Sequence, residues 1–148
     1  MLVRLLVPLL MLTTSTGHAE QIKLNCDIQV VTNYLDGTKP KTENRRVVVD
    51  ITDEGDIRLI KLSTHKVFLS VGNFKIEGTT SVVDKSDDTK WEISNTEERN
   101  GTLSVTNLRI DRNTGGISYK DVFTDNSGKT SESGDGTCRK VDATRKLF

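Results

Sequence analysis

From Ile22 onward, apolar and polar residues alternate with a period of two. The segment "IKLNCDIQVV" sets Ile22, Leu24, Cys26, Ile28 and Val30 on one face, and Lys23, Asn25, Asp27 and Gln29 on the other. That alternation predicts a strand with one buried face. "RRVVVDIT" predicts a second strand with Val47, Val49 and Ile51 inward, and "IRLIKL" a third. "KVFLSV" alternates through Val67, Leu69 and Val71, and "FKIEGTTSVV" through Phe74, Ile76 and Val82. "TKWEIS" sets Trp91 and Ile93 against Lys90, Glu92 and Ser94. In "TLSVTNLRI" the apolar positions run Leu103, Val105, then Leu108, Ile110. The phase slips near Thr106-Asn107, which predicts a β-bulge. "ISYKDVF" carries Ile117, Tyr119 and Phe123 in phase, and a weak last strand surrounds "GTCRKV".

Turn residues separate these runs: Gly37 and Pro40, "DEGD", Gly72-Asn73, "DKSDD", "TEERNG" and "DNSGK". No stretch after Ala19 carries an apolar stripe of helical period. The prediction is an all-β fold of about eight short antiparallel strands, one domain spanning residues 20–148. A small lipocalin- or streptavidin-like meander barrel is expected, with a β-sandwich as the alternative. An immunoglobulin-type sandwich places its tryptophan soon after the first cysteine, and here Trp91 follows Cys26 by 65 residues.

The first residues change the picture from fold to compartment. "MLVRLLVPLLMLTTSTGHAE" has Arg4, an apolar run from Leu5 to Leu12, and small polar residues ending at Ala19. This is the pattern of a cleaved secretory signal peptide over residues 1–19, and the run is too short to span a bilayer, which takes about 20 residues. Losing Arg4 lowers Lys+Arg from 21 to 20 against 21 Asp+Glu, a net charge of −1. That balance argues against broad electrostatic binding to nucleic acid. In an exported chain, Cys26 and Cys138 are expected to form one disulfide. It would close a loop of 112 residues, joining the first strand to the last as a closing barrel requires.

Candidate chemistry is sparse. His65 is the only histidine beyond the signal segment, and a Ser-His-Asp site or a zinc site would have to be built around it. The acids of "DEGD", "DKSDD" and Glu97-Glu98 fall in predicted turns, where carboxylates cap backbone N–H groups. "NGT" at Asn100 fits both a glycosylation acceptor and an Asn-Gly hairpin turn. "IDRNTGG" reads as a corner: Asp111 accepts from the N–H groups of Asn113 and Thr114, and Gly115 or Gly116 takes a positive φ. Arg112 is left without a role. The basic tail "CRKVDATRKLF" ends in Phe148, which either plugs a barrel mouth or lies against a partner.

Cys26, the strand ending in "IDRNTG" and the terminal "GTCRKVDATRKLF" resemble a group of small exported alphaproteobacterial proteins. That group has a DRxTG hairpin followed by Gly-x-Cys and a closing Phe. The resemblance covers mainly the last 40 residues and the Cys26 region. It implies a periplasmic or secreted protein and transfers no catalytic residue. Lipocalins, by contrast, carry a Gly-x-Trp on the first strand, which this chain lacks.

The functional expectation is an exported, non-enzymatic barrel that binds a small apolar ligand or a cell-envelope partner. The candidate interior is Leu69, Phe74, Trp91, Tyr119 and Phe123, with Leu24, Ile28, Val49 and Val105 beside them. Eight strands enclose a space that side chains either fill or share with one ligand. A monomer is expected, with no cofactor, no metal, no nucleic-acid partner and no membrane span after cleavage. The rival expectation is an inhibitor of a protease or lysozyme acting through the loop "YLDGTKPKTENR".

Overall fold

The computed structural model describes residues 20–34, 36–55, 57–64, 67–71, 75–76 and 80–141, of which 67–71, 75–76 and 80 are described by backbone alone. The segment 1–19, His65, Gly72, Asn73, Phe74 and the tail 142–148 with Phe148 lie outside the described residues. Strands are β1 (Glu20–Asn33), β2 (Lys41–Asp53), β3 (Ile57–Leu62), β4 (Val67–Val71), β5 (Lys75–Ile76), β6 (Thr80–Asp84), β7 (Lys90–Arg99), β8 (Thr102–Asp111), β9 (Gly116–Asp125) and β10 (Gly128–Lys140).

All ten belong to one antiparallel sheet in the order β4-β3-β2-β1-β10-β9-β8-β7-β6-β5. Every hydrogen-bonded neighbour is also a neighbour in sequence, except β1 and β10. The first and last strands therefore pair, as the cysteines suggested, and their register places Cys26 directly opposite Cys138. The two Sγ atoms are 2.07 Å apart. The sheet curls into a half-barrel whose seam lies between β4 and β5, not between the chain's ends. Across that opening Arg58 on β3 donates to Asp84 on β6, and Trp91 Nε1 on β7 donates to Asp53 on β2, 3.1 Å away. With all strands in a single sheet, the sandwich alternative does not apply.

Alternation built this fold where it was strong. Ile22, Leu24, Cys26, Ile28 and Val30 all face the core, as do Val47, Val49 and Ile51. Leu108, Ile110, Ile93 and Trp91 close it from the other arm. Each such side chain contributes about 1.5–3 kcal/mol through burial. The Asn100-Gly101 hairpin also forms, with φ of 53° and 76° joining Arg99 and Thr102. Positive φ at both positions matches the twist of the flanking strands.

Two expectations are corrected. The β-bulge near Thr106-Asn107 does not form: β8 keeps one register with β7 from Lys90↔Asp111 to Arg99↔Thr102, and one register with β9 throughout. What changes at Thr106 is the polarity of the two faces. Ser104 and Thr106 share the inner face with Leu108 and Ile110, while Leu103 and Val105 lie on the outer face; Val105 is therefore not an interior residue. The last strand is also far longer than its apolar pattern suggested. Its inner face carries Thr130, Glu132, Gly134, Gly136 and Cys138, so it is built by backbone pairing to β1 and β9 along its length. The half-barrel thus has an apolar end, near Glu20 and the β8–β9 turn, and a polar end, near Asn100 and Asn126.

Candidate functional site

At the apolar end, the turn between β8 and β9 folds over the last residues of β10. Asp111 Oδ1 accepts from the N–H groups of Asn113 (2.9 Å) and Thr114 (2.8 Å). Those bonds, Thr114 first, hold the Asp111 carboxyl below the usual aspartate range. Gly115 takes φ +73°, and its carbonyl accepts from the Cys138 N–H at 2.7 Å. On the other side, the Arg112 N–H donates to the Thr89 carbonyl at 2.8 Å. The turn is therefore tied to both β10 and the β6–β7 connection, and the corner expected at "IDRNTGG" forms as described.

Arg112, which the sequence left without a role, gains three contacts from this placement. Its guanidinium carbon lies 4.5 Å from the centroid of the Trp91 ring. Nη2 is 3.2 Å from Glu20 Oε2, and Nη1 lies 3.5 Å from the Asp87 carbonyl. Cation–π stacking of this kind is worth about 0.5–1 kcal/mol at an exposed site. Trp91 is itself fixed from behind. Only 3% of it is exposed, and Asp53, which accepts its indole N–H, also accepts from Arg58 Nη2 at 3.1 Å and from the Gly55 N–H. Burial pushes the Asp53 carboxyl up, but the bonds from Arg58, Trp91 and Gly55 outweigh it, and the net shift is downward.

Between these groups opens a cleft of about 440 Å³, rimmed by Glu20, Asp88, Arg112 and Lys140 and floored by Trp91 and Ile110. It combines a fixed guanidinium, three further charged side chains and an apolar floor. Ligand sites of such size and composition hold small molecules through a few placed polar groups.

The polar end carries a second constellation. Arg45 Nη1 donates to Glu132 at 3.1 Å, and Arg45 Nε also bonds Glu43. The Tyr119 hydroxyl donates to the other oxygen of Glu132. Thr106 Oγ1 donates to Asp121 at 3.0 Å. Burial, then the Glu132 carboxylate, pushes the Tyr119 hydroxyl far above the ordinary tyrosine range. The Tyr119 ring crosses β10 over Gly134, where a Cβ would come within 2.3 Å of it.

The expected interior set does not converge on one site. Trp91 floors the cleft. Tyr119 is 8% exposed, with its ring in the core and its hydroxyl in the charge cluster. Phe123 does not line an interior: it is 45% exposed, because its cross-strand neighbours Ser104 and Thr130 are small and polar and leave the ring in solvent. Leu69 lies in β4, where backbone alone is described, and Phe74 lies outside the described residues. Arg45, Glu132, Glu20 and Arg112 were missed. The signal for Arg45 was present, since it continues the inward phase of Val47, Val49 and Ile51.

Of the acids expected in turns, Asp53, Asp84 and Asp87 accept from backbone N–H groups, whereas Glu97 and Glu98 lie within β7, paired to Ser104 and Leu103, and not in a turn. Asp87 Oδ1 accepts from the N–H groups of Thr89 and Lys90, and Asp125 Oδ1 from those of Ser127 and Gly128. Among the described residues, no group of three His, Cys, Asp or Glu side chains is placed to hold a metal ion. No helix among them is long and apolar enough to cross a membrane. The disulfide is compatible with an oxidising compartment outside the cytoplasm.

No protein-family model matches the chain, and no curated protein matches it.

Proposed function

We propose that this is a non-enzymatic binding protein of the periplasm or extracellular space, acting as a monomer through a site on its rim. The observation that carries this reading is the cleft at the apolar end, where Arg112 is held between Trp91 and Glu20. The support for a rim site over an interior one is packing. The inward side chains Ile28, Ile51, Ile60, Ile93, Leu108 and Ile110 are each at most 2% exposed, filled against one another. An apolar ligand inside that half would have to displace them.

Native mass spectrometry of protein purified from the periplasm tests the reading. A bound mass, or a stoichiometric envelope partner, that is released on denaturation is the expected result. A bare polypeptide with no cross-linked partner, and with no ligand that binds on titration, would overturn it.

A second reading, inhibition of a hydrolase, is supported by the β1–β2 loop. Tyr34 there is 41% exposed, and Asp36 Oδ1 accepts from the Thr38 N–H at 2.9 Å and from its hydroxyl. An exposed loop stiffened by its own side chains can enter a protease or lysozyme cleft with little entropy left to lose. A panel of proteases and lysozymes assayed with micromolar protein decides it, and uninhibited turnover throughout removes it.

A further inference from the structure

The cleft at the apolar end contains its own clue to what fills it. Of its charged lining residues, Asp111 spends its carboxylate on the Asn113 and Thr114 N–H groups. That leaves the side chains of Glu20 and Asp88 facing those of Arg112 and Lys140, two side-chain charges of each sign. A carboxylate on a ligand is matched by Arg112 and Lys140, and an ammonium by Glu20 and Asp88.

Arg112 is also pre-set as a carboxylate fork. Its side chain is only 25% exposed, the guanidinium carbon lies over the Trp91 ring, and the Asp87 carbonyl holds one of its nitrogens. A planar guanidinium so held loses little freedom on pairing with a carboxylate. Glu20 is fixed at its backbone, opposite Asp53 at the start of β1, but its side chain is 48% exposed. An exposed pair such as Glu20–Arg112 adds little to stability, so separating it is cheap.

The geometry points to a small α-amino-acid zwitterion as the occupant of this cleft, its carboxylate on Arg112 and its ammonium on Glu20. Each residue then exchanges its partner for a group of the same charge, so neither is left unpaired. The floor of Ile22, Leu24, Trp91 and Ile110 suits an aliphatic or aromatic side chain on the ligand. The inference rests on the binding-protein reading above and names its ligand class.

Trp91 is the sole tryptophan of the chain, so tryptophan fluorescence, excited where tyrosine does not absorb, reports this cleft alone. L-leucine and L-phenylalanine are titrated against the purified protein, beside N-acetyl-L-leucine, which lacks the ammonium, and L-leucinamide, which lacks the carboxylate. A saturable change with the free amino acids below about 1 mM, at least about tenfold weaker for both derivatives, is expected. Arg112→Gln and Glu20→Gln are each expected to weaken binding at least about tenfold, read by calorimetry because the first also alters the fluorescence baseline. The comparison among ligands needs no variant and stands even if one misfolds.

The inference is overturned if neither amino acid gives a saturable response, if the derivatives bind as well, or if both variants bind like the parent. A co-purifying ligand of another chemistry, with no response to amino acids, sinks this inference and leaves the binding-protein reading standing. A bare polypeptide with a positive titration leaves the cleft assignment standing and shows only that purification strips the site.

Discussion

A Cβ built on Gly115 would lie 2.4 Å from the carbonyl oxygen of Cys138. Gly115 also sits at φ +73°, so it meets two separate demands: a left-handed backbone and an absent side chain. Gly37 meets only the first, with φ +80° and nothing within 4 Å of its virtual Cβ. The pair separates the two costs. Gly37→Ala is expected to lose about 1–2 kcal/mol from the backbone alone. Gly115→Ala adds overpacking against β10 and is expected to lose about 2–5 kcal/mol. Urea denaturation of both variants checks this, and equal losses would show that the turn does not press on Cys138.

The same turn lies beside the disulfide that joins the two ends of the meander. Cys26 and Cys138 are 112 residues apart in sequence, so the bond restricts the unfolded chain strongly. The double variant Cys26→Ser, Cys138→Ser is expected to lose roughly 4–5 kcal/mol in the chain-entropy account. Alkylation of unreduced protein should find no free thiol. Two reactive thiols, or a double variant as stable as the parent, would contradict the bond.

How much of this was legible beforehand depends on which face of each strand was apolar. β1 and the second half of β2 alternate cleanly, and their inward residues could be named in advance. β8 could not be read so simply, because a half-barrel with one apolar and one polar end reverses the usual rule partway along a strand. Leu103 and Val105 mark the outer face and Leu108 and Ile110 the inner, which on a single strand mimics a bulge. Phe123 was misplaced for the same reason: its phase is inward, but inward at that end means solvent. Arg112 was unreadable in a different sense. Its role depends on Trp91 and Glu20, which are 21 and 92 residues away in sequence and meet it only after the sheet curls.

Acid sensitivity should trace in part to Asp53. Its carboxyl is held below the ordinary aspartate range in the folded protein. A depressed folded pKa contributes stability that is present above the unfolded value, about 3.9, and lost as pH falls through the folded one. Asp53→Asn removes charged bonds to Arg58 and Trp91 and is expected to cost about 1.5–3 kcal/mol at pH 7. Because other carboxylates also titrate, the decisive quantity is the difference between parent and variant. Urea midpoints measured from pH 7 downward should converge below about pH 4. A difference that stays constant to the lowest pH would mean that Asp53 acts by shape rather than by charge.

At the polar end the sign reverses. The Tyr119 hydroxyl is raised, first by burial and then by the bond to Glu132. A raised folded pKa contributes stability that is present below the unfolded tyrosine value, about 10, and lost as pH rises above it. The chain has two tyrosines, Tyr34 and Tyr119, so the variant Tyr34→Phe makes the phenolate absorbance report Tyr119 alone. In that variant, absorbance should rise only as far-ultraviolet dichroism shows the sheet opening, the two transitions coinciding. Glu132→Gln removes the charge that opposes the phenolate, and Tyr119 should then ionise at lower pH than in the Tyr34→Phe parent. Reversible ionisation near pH 10 with the sheet intact would show that the hydroxyl is free of Glu132 and reachable by water. In that case the polar end is an open, hydrated mouth and not the closed charge cluster formed by Arg45, Glu132 and Tyr119.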